Sequence, residues 1–233
     1  MTGQGRGPSD RAYAGEPSGL LTRLGLRARA RTPVERIATS ADLPGFERPL
    51  CADWLWRPDL WTRPCLSGPV PVEGTGQTLV PGVSLFHDAT AASATIVQTA
   101  TPDADAPHGL AMDVGAFDGS FLSLALDLPA GGISGISRRH LLGVSFRLDA
   151  PPAAKVFARF NLKHGPNTET RLRELPETRE ATGRIPVEFD LAYIEMNERR
   201  VTAAWVDVIF QQPAQTGFRI DDLVLYRRPR AQL

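Results

Sequence analysis

From residue 82 onward the chain reads as short runs in which apolar and polar residues alternate. Residues 82–87 and 94–98 are short and rich in β-branched or aromatic side chains, which predicts strands. Residues 109–117 put Leu110, Met112 and Val114 on one face. The run 121–128 does the same with Leu122, Leu124, Leu126 and Leu128, leaving Ser123, Ala125 and Asp127 on the other. Asp118-Gly119 between these two runs predicts a tight hairpin. Residues 141–148 turn Leu142, Val144, Phe146 and Leu148 inward. In 156–164 the inner row is Val156, Ala158, Phe160 and Leu162, and the outer row is Arg159, Asn161 and Lys163. Gly165-Pro166-Asn167 predicts a turn, and 168–175 pairs back with Arg171, Arg173 and Glu174. A short strand at 187–191 and a helical turn at 193–200 follow. In 201–210, Val206, Val208 and Phe210 share a face opposite Trp205 and Asp207. Many short strands, few helices and frequent turn residues predict an all-β sandwich of jelly-roll type.

The last run, 218–226, breaks its alternation at Asp221-Asp222. A strict period of two would send Ile220 and Leu223 to opposite faces. One extra residue at the acidic pair, a β-bulge, would bring Ile220, Leu223 and Leu225 to one face. This apolar-Asp-Asp-apolar-x-apolar ending resembles the closing strand of galactose-binding-like β-sandwiches, which include many carbohydrate-binding modules. The resemblance implies that this strand pairs beside the opening strands. It also implies a structural calcium as a possibility, with Asp222 and Asp118 as its candidate ligands and Asp88 as a further one. An aspartate at a bulge can instead bond nearby backbone N–H groups and simply close the sheet. No other cofactor is expected.

Ahead of the strands, residues 1–17 are rich in Gly, Pro, Ser and Arg, which predicts disorder. Leu20, Leu21 and Leu24 cluster at helical spacing behind a possible Ser18 N-cap, with Arg23, Arg27 and Arg31 recurring beside them. Residues 1–33 therefore read as a helical or disordered extension, and 34–233 as one sandwich domain. That domain carries an aromatic, Pro-rich lead-in at 46–71, where Trp54, Trp56 and Trp61 either seal the sandwich end or form an exposed stacking platform. The lead-in residues Trp54, Trp56, Arg57, Pro58, Leu60 and Trp61, with the closing Arg227, Arg228, Pro229 and Arg230, are similar to an uncharacterised alphaproteobacterial protein family. That second resemblance implies no activity.

Composition narrows the function. Lys and Arg total 26 and so do Asp and Glu, so no global field draws nucleic acid or an anionic membrane. The basic residues at the two ends read as solvated tails, and no nucleic acid is expected. No run is long enough to span a bilayer, and no basic-then-apolar leader is visible, so the expected location is cytoplasmic. Association with a surface or particle stays open. Cys51 and Cys65 flank the tryptophans and read as reduced thiols before a disulfide. The four histidines make no zinc-binding pair, and there is neither a G-x-S-x-G elbow nor a phosphate loop. A jelly-roll polysaccharide lyase would draw on Arg159, His164 and Arg171, but the Gln-x-His strand it would need is missing.

The leading expectation is a non-catalytic module that binds a carbohydrate or polymer surface on its concave sheet. If the strands at 156–164 and 201–210 share a sheet, Trp205, Arg159, Asn161, Lys163 and Asp207 lie on one face. A flat indole stacks on the apolar side of a pyranose, while amide, guanidinium and carboxylate groups bond its hydroxyls. The competing expectation buries Trp205 in the core and pairs Arg159 with Asp207 or Glu174. A different function class is a structural or assembly protein that docks a protein partner through its N-terminal segment.

Overall fold

The structure, a computed structural model, describes residues 43–176 and 183–231. The expected extension at 1–33 lies outside them. Thirteen strands are present among the described residues: β1 Trp54–Trp56, β2 Val70–Pro71, β3 Gly76–Val80, β4 Val83–His87, β5 Ala92–Ala100, β6 His108–Phe117, β7 Phe121–Asp127, β8 His140–Asp149, β9 Lys155–His164, β10 Asn167–Glu174, β11 Ile185–Asp190, β12 Val201–Gln211 and β13 Thr216–Pro229. Sheet A runs β11-β8-β13-β6-β5-β2, with β1 added on β13. Sheet B runs β10-β9-β12-β7-β4-β3. The two antiparallel sheets form a β-sandwich of jelly-roll type.

The core between the sheets is built from the inward rows that the alternation predicts. Leu122, Leu124, Leu126, Leu142, Val144, Phe146, Phe160, Leu162, Val206, Val208 and Phe210 are all buried in it. The lead-in seals one side. Trp54 and Trp61 are buried, and Trp61 Nε1 donates to the Ile220 carbonyl at 2.9 Å. Trp56 stacks on Trp54 with ring centroids 6.3 Å apart. Cys51 and Cys65 are free thiols.

The closing strand holds sheet A together. β13 pairs with β6 through residues 216–220 and with β8 through 219–229. Where β6 leaves, β1 takes its place from Leu225 to Arg227. The register with β8 shifts between Ile220 and Asp222, which is the bulge. Ile220 and Leu223 are consequently both fully buried in the core, although they stand three apart. Asp222 is thrown to the outer face.

The hairpin expected at Asp118-Gly119 is not formed. β6 belongs to sheet A and β7 to sheet B, so the connection crosses between sheets. Gly119 does not take the left-handed backbone of a two-residue hairpin turn. Asp118 instead accepts from the Thr90 and Ala91 backbone N–H groups at 2.8 and 3.0 Å. Asp88 does the same for Ser120 and Phe121 at 2.7 and 3.1 Å. These two side chains tie the crossover to the β4–β5 loop. The expected helical turn at 193–200 resolves into two 3₁₀ turns, Leu191–Tyr193 and Glu198–Arg200.

Candidate functional site on the outer face of sheet B

β9 and β12 are neighbours, and their register puts Arg159 opposite Asp207 and Asn161 opposite Trp205. Directly opposed residues of an antiparallel pair point to the same face. The other residues of these strands, Ala158, Phe160, Leu162, Val206 and Val208, fill the core. Trp205, Asp207, Arg159 and Asn161 therefore lie together on the outer face, and Lys163, opposite Ala203, continues the row.

Asp207 is the centre of this group. One carboxylate oxygen, Oδ2, accepts from Arg159 Nε and Nη2 at 3.0 and 2.8 Å and from Asn161 Nδ2 at 2.8 Å. Asp207 and Asn161 are 2% and 1% exposed. The Arg159 side chain keeps 14% of its surface. The charge pair was among the expectations; burial of Trp205 in the core was not realised. Trp205 is half-buried and makes further contacts of its own. Lys163 is also half-buried and Lys155, at the start of the same row, is exposed. These are the two lysines of the chain. Across β12, the same face receives Asp127 opposite Trp205 and Ala125 opposite Asp207.

The residues of the lyase-like set are not gathered. His164 falls in the inward row of β9, where its Nδ1 accepts from the Asn197 N–H at 3.3 Å. Arg171 opposes the inward Phe160 and donates to the Tyr193 carbonyl. Of the three aspartates considered for calcium, Asp118 and Asp88 bond backbone N–H groups at the crossover, and Asp222 stands at the bulge of β13. The Thr90 hydroxyl, followed by the Ala91 and Thr90 backbone N–H groups, holds the Asp118 carboxyl below the usual carboxylate range. Asp222 is fully buried on the outer face of sheet A, between two guanidinium groups. Arg57 Nε and Nη2 donate to its two oxygens at 2.9 and 3.0 Å, and Arg184 Nη2 donates to Oδ2. A carboxylate in that setting is already compensated, which disfavours a cation there. Among the described residues no cluster of His, Cys, Asp or Glu is arranged to hold a metal.

Arg57 and Arg184 had no place among the expected site residues. Alternation identifies which face a residue takes, not which charges that face buries. The available clue was Arg57 itself, set directly after an apolar Trp-Leu-Trp strand.

A family model matches residues 11–233 of the chain. It describes a family of unknown function, DUF6478. The chain belongs to that family. The match spans the lead-in and the closing strand, where the sequence resemblance lay. No curated protein matches the chain. Among solved structures, the enzymatically active domain of tailspike protein 4 of bacteriophage CBA120 aligns with a TM-score of 0.42 at 9% identity, over 61% of this chain. The chain spans 19% of that tailspike chain. The family 11 carbohydrate-binding module from Clostridium thermocellum, in complex with a β-1,3-1,4-mixed-linked tetrasaccharide, aligns with a TM-score of 0.40 at 10% identity, over 68% of this chain and 95% of that one. The CBM22-1 xylan-binding domain of Paenibacillus barcinonensis Xyn10C gives 0.38 at 9% identity, over 66% and 90%. Among the described residues, no helix is long and apolar enough to cross a membrane.

Proposed function

We propose that this DUF6478 domain is a non-catalytic binding module that takes a carbohydrate, or another hydroxyl-rich polymer, on the outer face of sheet B. The observation that carries the reading is the buried Arg159–Asp207–Asn161 group at the middle of that face. The group is not part of the core between the sheets, which lies on the other side of both strands. A buried ion pair is often matched or bettered in stability by apolar residues of the same volume. Asp207 and Asn161, both buried, hold Arg159 in one orientation, and the part of Arg159 that stays exposed is preorganised for a ligand. Trp205 and Lys163 extend the set along the row. The half-buried indole and ammonium and the exposed part of the guanidinium would meet the apolar and hydroxyl surfaces of a pyranose.

The test is a glycan array on the full chain, repeated with Arg159→Ala and Trp205→Ala. The reading expects hits from the wild type that both variants lose while keeping a cooperative melt. Amine acylation gives an independent readout, since Lys155 and Lys163 are the chain's two lysines and both start or end this row. A glycan hit should slow acylation of Lys163. A blank array, or hits that survive both substitutions, would remove the proposal.

A further inference from the structure

A second feature lies on the opposite side of the sandwich. A groove of about 500 Å³ runs over the outer face of sheet A, between the 45–50 segment and strands β8, β11 and β13. Its walls include the rings of Phe46 and Tyr226, whose centroids are 6.1 Å apart. Arg147, Arg184 and Arg228 also line it. Two of these guanidinium groups are matched by carboxylates. Arg228 makes a two-pronged bond to Glu188 at 2.7 and 2.7 Å, and Arg147 pairs with Asp103.

Arg184 is different. It shares the single carboxylate of Asp222 with Arg57, which already grips both oxygens. The remaining Arg57 donors go to the Pro44 and Asp105 carbonyls. Among the described residues, the other acceptor of Arg184 besides Asp222 is the Ser145 hydroxyl, at a long 3.5 Å. Its guanidinium carbon stands 5.0 Å from the Phe46 ring centroid. Among the described residues, two buried cations thus face one buried anion, with Arg184 4% exposed at the groove. A buried surplus charge is costly until a counter-charge reaches it. Guanidinium groups bind phosphate and carboxylate through paired, charge-assisted hydrogen bonds. Aromatic walls beside such a group favour an anion carried on an apolar body.

We propose that this groove is an oxyanion-binding site in which Arg184 bonds a phosphate or carboxylate group and Phe46 and Tyr226 flank the body that carries it. It is separate from the face of sheet B and stands or falls apart from it. Phosphoryl and carboxyl ligands share the recognition chemistry, so phenyl phosphate and benzoate are the two probes, with inorganic phosphate as the third.

The measurement is ¹⁵N NMR of the Arg184 Nε–H during titration of the full chain at constant ionic strength. Saturable shifts are expected with at least one aromatic probe, and a tighter fit for phenyl phosphate than for inorganic phosphate. Arg184→Gln leaves Arg57 and Asp222 as a matched pair, so the domain should stay folded. It should weaken the aromatic probe about tenfold or more. Phe46→Ala should reduce the preference for phenyl phosphate over inorganic phosphate. Equal response to chloride, or undiminished probe binding in Arg184→Gln measured by calorimetry, would overturn the proposal. If Arg184→Gln fails to fold, the wild-type titration and Phe46→Ala decide alone: no saturable shift at Arg184 refutes the site.

Discussion

The two outer faces of this sandwich each bury an aspartate against arginine, and they do so differently. On sheet B, Asp207 meets one arginine and one amide, all supplied by two adjacent strands. On sheet A, Asp222 meets two arginines that come from the lead-in and from the residue before β11, 165 and 38 positions away in sequence. The first arrangement is local to a strand pair and keeps part of Arg159 in water. The second ties two distant parts of the chain to the bulge of β13. Tyr226 closes over this side so tightly that a Cβ on Gly143 would come within 2.0 Å of its ring. The same residue chemistry thus presents a surface on one sheet and fastens the chain on the other.

Asp222→Ala separates the two roles most strongly. It would leave Arg57 and Arg184 buried without an anion, which costs about 3–5 kcal/mol for a broken buried pair. Urea unfolding of the variant should show that loss, or no folded protein at all. A loss below about 1 kcal/mol would mean that Asp222 is not a fastener.

The bulge that places Asp222 is tested next. Ile220→Ala and Leu223→Ala should each cost about 2–5 kcal/mol, because both side chains fill the core. Thermal melts that give one large and one negligible loss would show that the two residues do not share a face. In that case Asp222 would not be turned outward, and the contrast between the sheets would disappear.

How much of this was readable in advance follows the range of the interactions. The bulge was legible because it interrupts a period-two pattern within six residues. The inward rows of β7, β8, β9 and β12 were legible for the same reason, and they placed Trp205, Asp207, Arg159 and Asn161 on one side. The Asp118-Gly119 connection was misread because turn chemistry is local, whereas which sheet a strand joins is decided by distant partners. Asp118 and Asp88 gain their backbone bonds from the β4–β5 loop and from the start of β7. The Arg57–Asp222–Arg184 group was invisible for a related reason. No local pattern links positions so far apart, and an arginine after an apolar run is ordinarily solvated.

Asp207→Ala should be milder than its counterpart on sheet A. Arg159 retains 14% side-chain exposure and can turn its charge to water. The buried Asn161 amide loses one acceptor but keeps the Arg159 carbonyl at 3.2 Å. The cost expected is about 1–3 kcal/mol, the range for one unsatisfied buried polar group. Urea midpoints of Asp207→Ala and Asp222→Ala, measured side by side, check the ranking. A reversed order would make sheet B the fastened side.

The smallest effect expected is in pH, and it concerns sheet A alone. His140 opens β8 opposite Pro229, beside Asp53 and Arg227. Its Nδ1 accepts from the Ser137 N–H at 3.1 Å, which fixes the neutral ring with its proton on Nε2, facing Asp53 at 3.6 Å. Burial, followed by the charge of Arg227, pushes the imidazole below its ordinary value, against the opposing pull of Asp53 and Glu198. With the folded value depressed, the unfolded chain takes up the proton first as pH falls. The contribution is therefore complete above about pH 6.5 and is lost progressively below it, through the folded value. Stability measured from pH 8 to 5 should decline more steeply for the wild type than for His140→Gln below pH 6.5, and in parallel above it. Identical slopes throughout would show that the ring is equally basic in both states. The Asp207 group contains no histidine, so an Asp207→Ala background should leave this difference between the two curves unchanged.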